Sequence, residues 1–133
     1  FINKLKSQAI KLGLNKNLTF VGHRSDIREI MSISKIVFSL SKEPEAFGRI
    51  SLESLSMGIP VIAYSHGGVK EQMLEILPEG LIAVGNINLV ASLTNKWIKK
   101  GPEINKSHNF TLKNMLEKTV LVYKQAIKDK CQK

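Results

Sequence analysis

The sequence predicts an α/β domain built as a doubly wound parallel sheet with helices on both faces. Three observations predict it. Runs of four or five residues that are apolar on both faces alternate with stretches whose apolar residues recur at helical spacing. Glycine and proline punctuate the junctions between them. A chain of 133 residues with 43% hydrophobic content is long enough for one core and too short for two of ordinary size.

Each element has its own signal. Ile2, Leu5, Ala9, Ile10 and Leu12 form a helical stripe that Gly13 stops. Leu18-Thr19-Phe20-Val21-Gly22 reads as a short buried strand, and Asp26 stands where it would cap a helix running through Met31. Ile36-Val37-Phe38-Ser39-Leu40 is the next strand, followed by the polar loop Ser41-Lys42-Glu43-Pro44. A helix is expected over 48–57, closed by Gly58, and then a strand at Pro60-Val61-Ile62-Ala63-Tyr64. Ser65-His66-Gly67-Gly68 reads as a turn, and a helix over 69–74 leads through Pro78-Glu79-Gly80 to the strand Leu81-Ile82-Ala83-Val84. Helices over 87–99 and 111–130 follow, with Leu89, Leu93, Trp97 and Ile98 assigned to the core.

Composition narrows the functions. No apolar run is long enough to span a bilayer, and the amino end lacks the pattern of a signal peptide, which predicts a cytoplasmic protein. Cys131 is a single cysteine, so neither a disulfide framework nor a cysteine metal site is expected within one chain. The net charge of +9 comes from 17 Lys and only 3 Arg, with lysines scattered along the helices and the tail. Arginine is the residue of bidentate base and phosphate recognition, so this balance argues against a nucleic-acid partner. Abundant Lys, Ile and Asn match the drift of an A+T-rich genome, and most of the charge is read as solvated decoration. A peripheral contact with an anionic membrane at its inner face is the other reading of that charge.

Ligands of doubly wound sheets bind beyond the carboxyl ends of the strands. Here that edge comprises Gly22-His23-Arg24, residues 41–47, residues 65–68 and the turn after Val84. The segment Glu45-Ala46-Phe47-Gly48-Arg49-Ile50-Ser51-Leu52-Glu53 lies on it and sets two carboxylates around a loop-to-helix junction. Spacing alone carries little, because Glu71 and Glu79 share it. The information lies in the context: a strand and polar loop before, a Phe-Gly pair within, and Met57-Gly58-Ile59-Pro60-Val61-Ile62-Ala63 after. A helix starting near Gly48 would turn its free amides, around Phe47 to Ile50, and its positive end towards a diphosphate. Glu53 would share a face with Arg49 and Ile50, leaning back towards the amino end. Gly22 and His23 would edge the same site, while His66 and His108 read as ordinary loop residues. No His-Cys-Asp cluster has ligand spacing, so no metal is expected.

These residues resemble a known family. The Glu45 to Glu53 segment, its exit through Met57 to Ala63 and the later Gly67-Gly68-Val69-Lys70-Glu71 are similar to the carboxyl-terminal, donor-binding, Rossmann-like domain of GT-B glycosyltransferases, specifically the large retaining glycosyltransferase family 4. Phe20-Val21-Gly22, Gly80-Leu81-Ile82-Ala83 and the stretch from Phe110 to Tyr123 extend the likeness over nearly the whole chain. The resemblance implies a nucleotide-sugar donor as substrate, no cofactor and no metal. It assigns Glu45 to hydroxyls of the transferred sugar, as the catalytic carboxylate, and Glu53 to the ribose. Gly22, His23, Phe47, Gly48, Arg49 and Ile50 would bind the donor with it. Two carboxylates this far apart are poor candidates for the tight pair of a retaining glycosidase, about 5 Å apart, so grip and charge stabilisation are their expected roles.

The chain also departs from that family. It shows neither the first strand and Gly-rich loop, with the Arg and Lys that clamp the donor phosphates, nor the amino-terminal domain through which a carbohydrate or lipid-linked acceptor would arrive. The expectation is a donor half that binds nucleotide weakly and transfers no sugar alone, within a polysaccharide, lipopolysaccharide or other glycoconjugate pathway. A GT-B nucleotide-sugar epimerase would want further acid-base carboxylates and histidines, and a phosphorylase a pyridoxal lysine. A non-catalytic nucleotide-binding module of response-regulator type would want an acidic cluster where Gly22-His23-Arg24 stands.

Overall fold

The computed structural model describes residues 2–105 and 107–131; the side chain of Cys131, the single cysteine, lies outside what is described. Three strands, β1 (Val37–Ser39), β2 (Val61–Tyr64) and β3 (Leu81–Ile82), form a parallel sheet in the order β1-β2-β3. Val37 pairs with Val61 and Ala63 with Leu81. Among the described residues six helices accompany the sheet: α1 (Ile2–Lys11), α2 (Ile27–Ser32), α3 (Arg49–Ser56), α4 (Gly67–Ile76), α5 (Ile87–Lys99) and α6 (Leu112–Cys131), with a 3₁₀ turn at Pro78–Gly80.

The α/β architecture is the one the alternating pattern predicts. All four residues of β2 are buried, and successive residues face opposite ways, so both faces of the central strand are covered. Crossovers β1-α3-β2 and β2-α4-β3 advance in the same direction across the sheet. Right-handed connections therefore place α3 and α4 side by side, where they touch. The core gathers Leu55, Val61, Ile62, Met73, Ile76, Leu77, Ile82 and Trp97, every one almost fully buried. Each large aliphatic side chain buried in this way stabilises the fold by roughly 1.5–3 kcal/mol, so the sheet and the helices that follow its strands carry the stability. By contrast, α6 leaves Leu112, Met115, Leu116, Val120 and Tyr123 exposed. Among the described residues no helix is long and apolar enough to cross a membrane.

Three expectations are corrected. Leu89 and Ile98, assigned to the core, are exposed on α5, whereas Trp97 is buried. The predicted buried strand at 18–22 is not a strand: the segment pairs with none of β1, β2 and β3, and Leu18, Phe20 and Val21 are exposed. Apolar, β-branched composition suits a strand only where a neighbour accepts its backbone hydrogen bonds. Asp26 stands at the N-cap position of α2 but makes no capping bond, because its carboxylate takes both Nε and a terminal nitrogen of Arg24. That pairing lowers the Asp26 pKa below its ordinary value and raises that of Arg24.

Boundaries shift by small amounts elsewhere. β3 stops at Ile82, whereas α4 starts two residues early, at Gly67, and runs on to Ile76. The end of α3 follows the prediction. Gly58 takes a left-handed conformation (φ 79°), its N–H donates to the Leu55 carbonyl and that of Ile59 to the Ser54 carbonyl, at 3.0 and 2.9 Å. This is a Schellman stop, and the chain leaves it directly into β2.

Candidate functional site

The loop after β1 and the amino end of α4 lie side by side, because β1 and β2 are neighbours in a parallel sheet and both elements leave from strand carboxyl ends. Their contact is close. The Gly68 N–H donates to the Glu45 carbonyl at 2.8 Å. A Cβ at Gly67 would stand 2.4 Å from that carbonyl oxygen, and one at Gly68 would stand 2.3 Å from the Ala46 carbonyl oxygen. The Gly67-Gly68 pair, read in the sequence as a turn, is therefore the opening of α4 and the seat on which residues 45–47 rest.

Gly48 completes the junction. Its φ of 80° is left-handed, and an added Cβ would meet Val69 Cγ2 at 2.3 Å, so both the turn and the packing demand glycine. From this N-cap, α3 begins at Arg49, with its first ladder bond from the Leu52 N–H to the Gly48 carbonyl at 3.2 Å. The amides of Arg49, Ile50 and Ser51 precede that bond and so lie outside the helical ladder. No side chain caps them among the described residues. They sit at the positive end of the α3 dipole, which suits an anion.

Sequence reasoning passed over Gln72. It is fully buried on α4, and its Nε2 donates to the Phe47 carbonyl, tying the cradle loop to the next helix. Its Oε1 has no partner among the described residues. A polar residue on an otherwise apolar helix face was the signal available. Gln72→Leu keeps the volume and orphans the Phe47 carbonyl. A loss of about 0.5–1.5 kcal/mol is expected for this part-buried bond, to be measured by urea unfolding; an unchanged midpoint would show the bond to be unimportant.

Most of the predicted site residues come together here. Glu45 is exposed in the loop, Phe47 is half exposed with an edge-on contact to Phe110, and Ile50 is exposed on the first turn of α3. Arg49 and Glu53 share a face, as expected, and the guanidinium donates to the Glu53 carboxylate at 3.2 Å. That exposed pair is worth little in stability, about 0.3–0.5 kcal/mol, and leaves Glu53 available to other donors. Arg49, Glu53, Leu52, Ser56, Met57 and Arg28 line an open groove of about 610 Å³ along α3. Gly22 (φ 68°) and His23 are exposed on the loop that leads to α2 and do not line this groove. An apolar hollow of about 390 Å³, lined by Phe47 and Leu52, lies against the start of α6. His66, the N-cap residue of α4, hydrogen-bonds the Ser41 carbonyl through Nε2 at 2.9 Å and so braces the same loop from below.

A parallel α/β sheet with a glycine-led helix start beyond its strand ends is the architecture of domains that take phosphate-bearing ligands. Comparison with known proteins gives the family. The chain belongs to the glycosyl transferases group 1, whose family model matches residues 2–126. It is similar to a glycosyltransferase from Rickettsia africae, with a TM-score of 0.82 and 30% identity over 96% of this chain and 36% of that one. It is also similar to HepE of Anabaena, solved in complex with UDP, with a TM-score of 0.68 and 32% identity over 74% of this chain and 27% of that one. N-acetyl-alpha-D-glucosaminyl L-malate synthase of Bacillus anthracis is 32% identical over 88 residues, which are 66% of this chain and 23% of the relative. The chain thus spans between 23% and 36% of the length of these relatives.

Proposed function

We propose that this chain is the donor-binding half of a retaining, family 4 glycosyltransferase of GT-B architecture, and that it holds a nucleotide-diphosphate sugar for transfer to a carbohydrate or lipid-linked acceptor. The observation that carries the reading is the built cradle at Gly48. A left-handed glycine, packed against Val69 and next to the Gln72 bond to Phe47, opens α3 with its first amides uncapped. Likeness to a protein solved with UDP supports a nucleoside diphosphate as the ligand.

The roles follow from the layout. Diphosphate oxygens accept from the amides of Arg49, Ile50 and Ser51, where the helix dipole adds roughly 0.3–1 kcal/mol. Glu53, one turn further along α3, accepts from the two ribose hydroxyls once the Arg49 contact yields to the ligand. Glu45 precedes the helix and meets hydroxyls of the transferred sugar, where its charge also stabilises a cationic anomeric centre in the transition state. Gly22 and His23, on the loop before α2, lie outside the groove and carry no donor contact in this reading. No resident metal or cofactor is part of this reading. The acceptor and the cations that neutralise the leaving diphosphate belong to other parts of a complete enzyme, so the purified chain is expected to bind nucleotide and to show no transfer. The protein would act in the cytoplasm on glycoconjugate synthesis, at or near the inner face of the membrane.

The test is a calorimetric or NMR titration of the chain with UDP, GDP and ADP sugars. Glu53→Ala should weaken binding about tenfold or more, since hydrogen bonds to a charged group are worth roughly 1.5–3 kcal/mol. Equal binding by the variant would remove Glu53 from the site, and sugar transfer by the chain alone would overturn the half-site reading.

A further inference from the structure

Two of the chain's three arginines, Arg28 and Arg49, line the open groove along α3, and the third, Arg24, precedes α2 by three residues. Everywhere else the chain draws its cations from 17 lysines, none of which lines that groove. A chain that otherwise prefers lysine has placed its planar, bidentate donors beside the candidate site. That choice matters, because a guanidinium offers paired N–H groups in a fixed plane and an ammonium does not.

The two groove arginines are not equivalent. Arg49 is on the first turn of α3, at the phosphate end, and is engaged with Glu53. Arg28 comes from a different element, α2, and makes no ion pair among the described residues. Helix α2 is held against α3 by a buried contact at 3.2 Å between the Ser54 hydroxyl and the Met31 sulfur, three residues on from Arg28. The arginine is therefore carried by a fixed wall rather than by a free loop. Past Glu53 the groove runs on to Ser56 and Met57, with Leu52 giving it an apolar component. Phosphates at the amino end of α3 and a ribose at Glu53 leave this carboxyl-terminal part of the groove to the base.

We infer that Arg28 is a specificity-determining residue that reads the base of the donor nucleotide and selects bases presenting carbonyl acceptors, uracil or guanine, over adenine. This rests on the donor-site reading above. A guanidinium has donors only, so it pairs with uracil O4 or with guanine O6 and N7. Against adenine it faces the N6 amino group, itself a donor, and at least one N–H would lose its partner. Met57 and Leu52 supply the apolar contact for the ring face, and the Ser56 hydroxyl can serve either polarity.

The experiment measures affinities of the full chain for UDP, GDP and ADP, in the wild type, Arg28→Ala and Glu53→Ala, with an amide spectrum of each variant to confirm folding. Arg28 is exposed, so its removal leaves the core intact. Wild type should prefer UDP or GDP to ADP by about tenfold or more, and Arg28→Ala should bring the three within about threefold by weakening the keto nucleotide alone. A preference that survives in Arg28→Ala overturns the inference. Equal weakening of all three also overturns it, since that would put Arg28 on the phosphates. Failure of wild type to bind any of them, or undiminished binding by Glu53→Ala, would overturn the donor-site reading itself and this inference with it.

Discussion

Gly48→Ala is expected to remove about 2–5 kcal/mol of stability and to abolish nucleotide binding. Two costs combine. A left-handed conformation costs a residue with a Cβ roughly 1–2 kcal/mol, and Gly48 holds a φ of 80°. The new methyl would also meet Val69 Cγ2 at 2.3 Å, where overpacking typically costs about 1–3 kcal/mol. The terms can be separated. In a Val69→Ala background the steric part should vanish and the conformational part remain, so a double-mutant cycle should show coupling of about 1 kcal/mol or more. Urea unfolding and UDP titration supply the measurements. A Gly48→Ala protein with wild-type midpoint and wild-type affinity would contradict the cradle described here.

Gly68→Ala should have the next largest effect, and it should fall more on binding than on stability. A Cβ there would stand 2.3 Å from the Ala46 carbonyl oxygen and 2.7 Å from the Phe47 Cα. Both are backbone atoms and neither can rotate away. The loop must lift off α4, which breaks the Gly68 N–H bond to Glu45 and moves the donor amides with it. A loss of about 1–3 kcal/mol in stability is expected, with UDP binding reduced at least tenfold. Gly101→Ala is the control, since open space surrounds a Cβ at that position. It should change neither measurement.

Much of this arrangement was legible in the amino acids. β2 announces itself as an apolar run because both faces of the central strand are covered, and Gly58 marks the end of α3 because a Schellman stop needs a left-handed residue. The loop-to-helix junction was legible for the same reason: Phe47-Gly48 between a strand and an amphipathic run has few other meanings. Local pattern fails where the deciding partner is distant in sequence. Residues 18–22 have strand composition, yet pairing rather than composition makes a strand. Gly67-Gly68 looks like any tight turn until residues 44–47 are seen resting on it. Gln72 gives no sign, within its own helix, that a carbonyl 25 positions earlier requires it. Asp26 stands where caps stand, and the nearby Arg24 draws its carboxylate away.

The seat formed by Gly67 and Gly68 under residues 45–47 also constrains how this chain can change over time. A composition rich in Lys, Ile and Asn marks a gene under pressure towards A and T, and every glycine codon begins with two G bases. Gly101 could drift away at small cost, because open space surrounds it and its φ is not left-handed. At 48, 67 and 68 any side chain strikes Val69, Glu45 or Ala46 within 2.4 Å, so these three codons are held by shape against the mutational current. The cradle is thereby inherited as one unit across two helices: a substitution on α4 is felt at the mouth of α3, and neither can be revised alone.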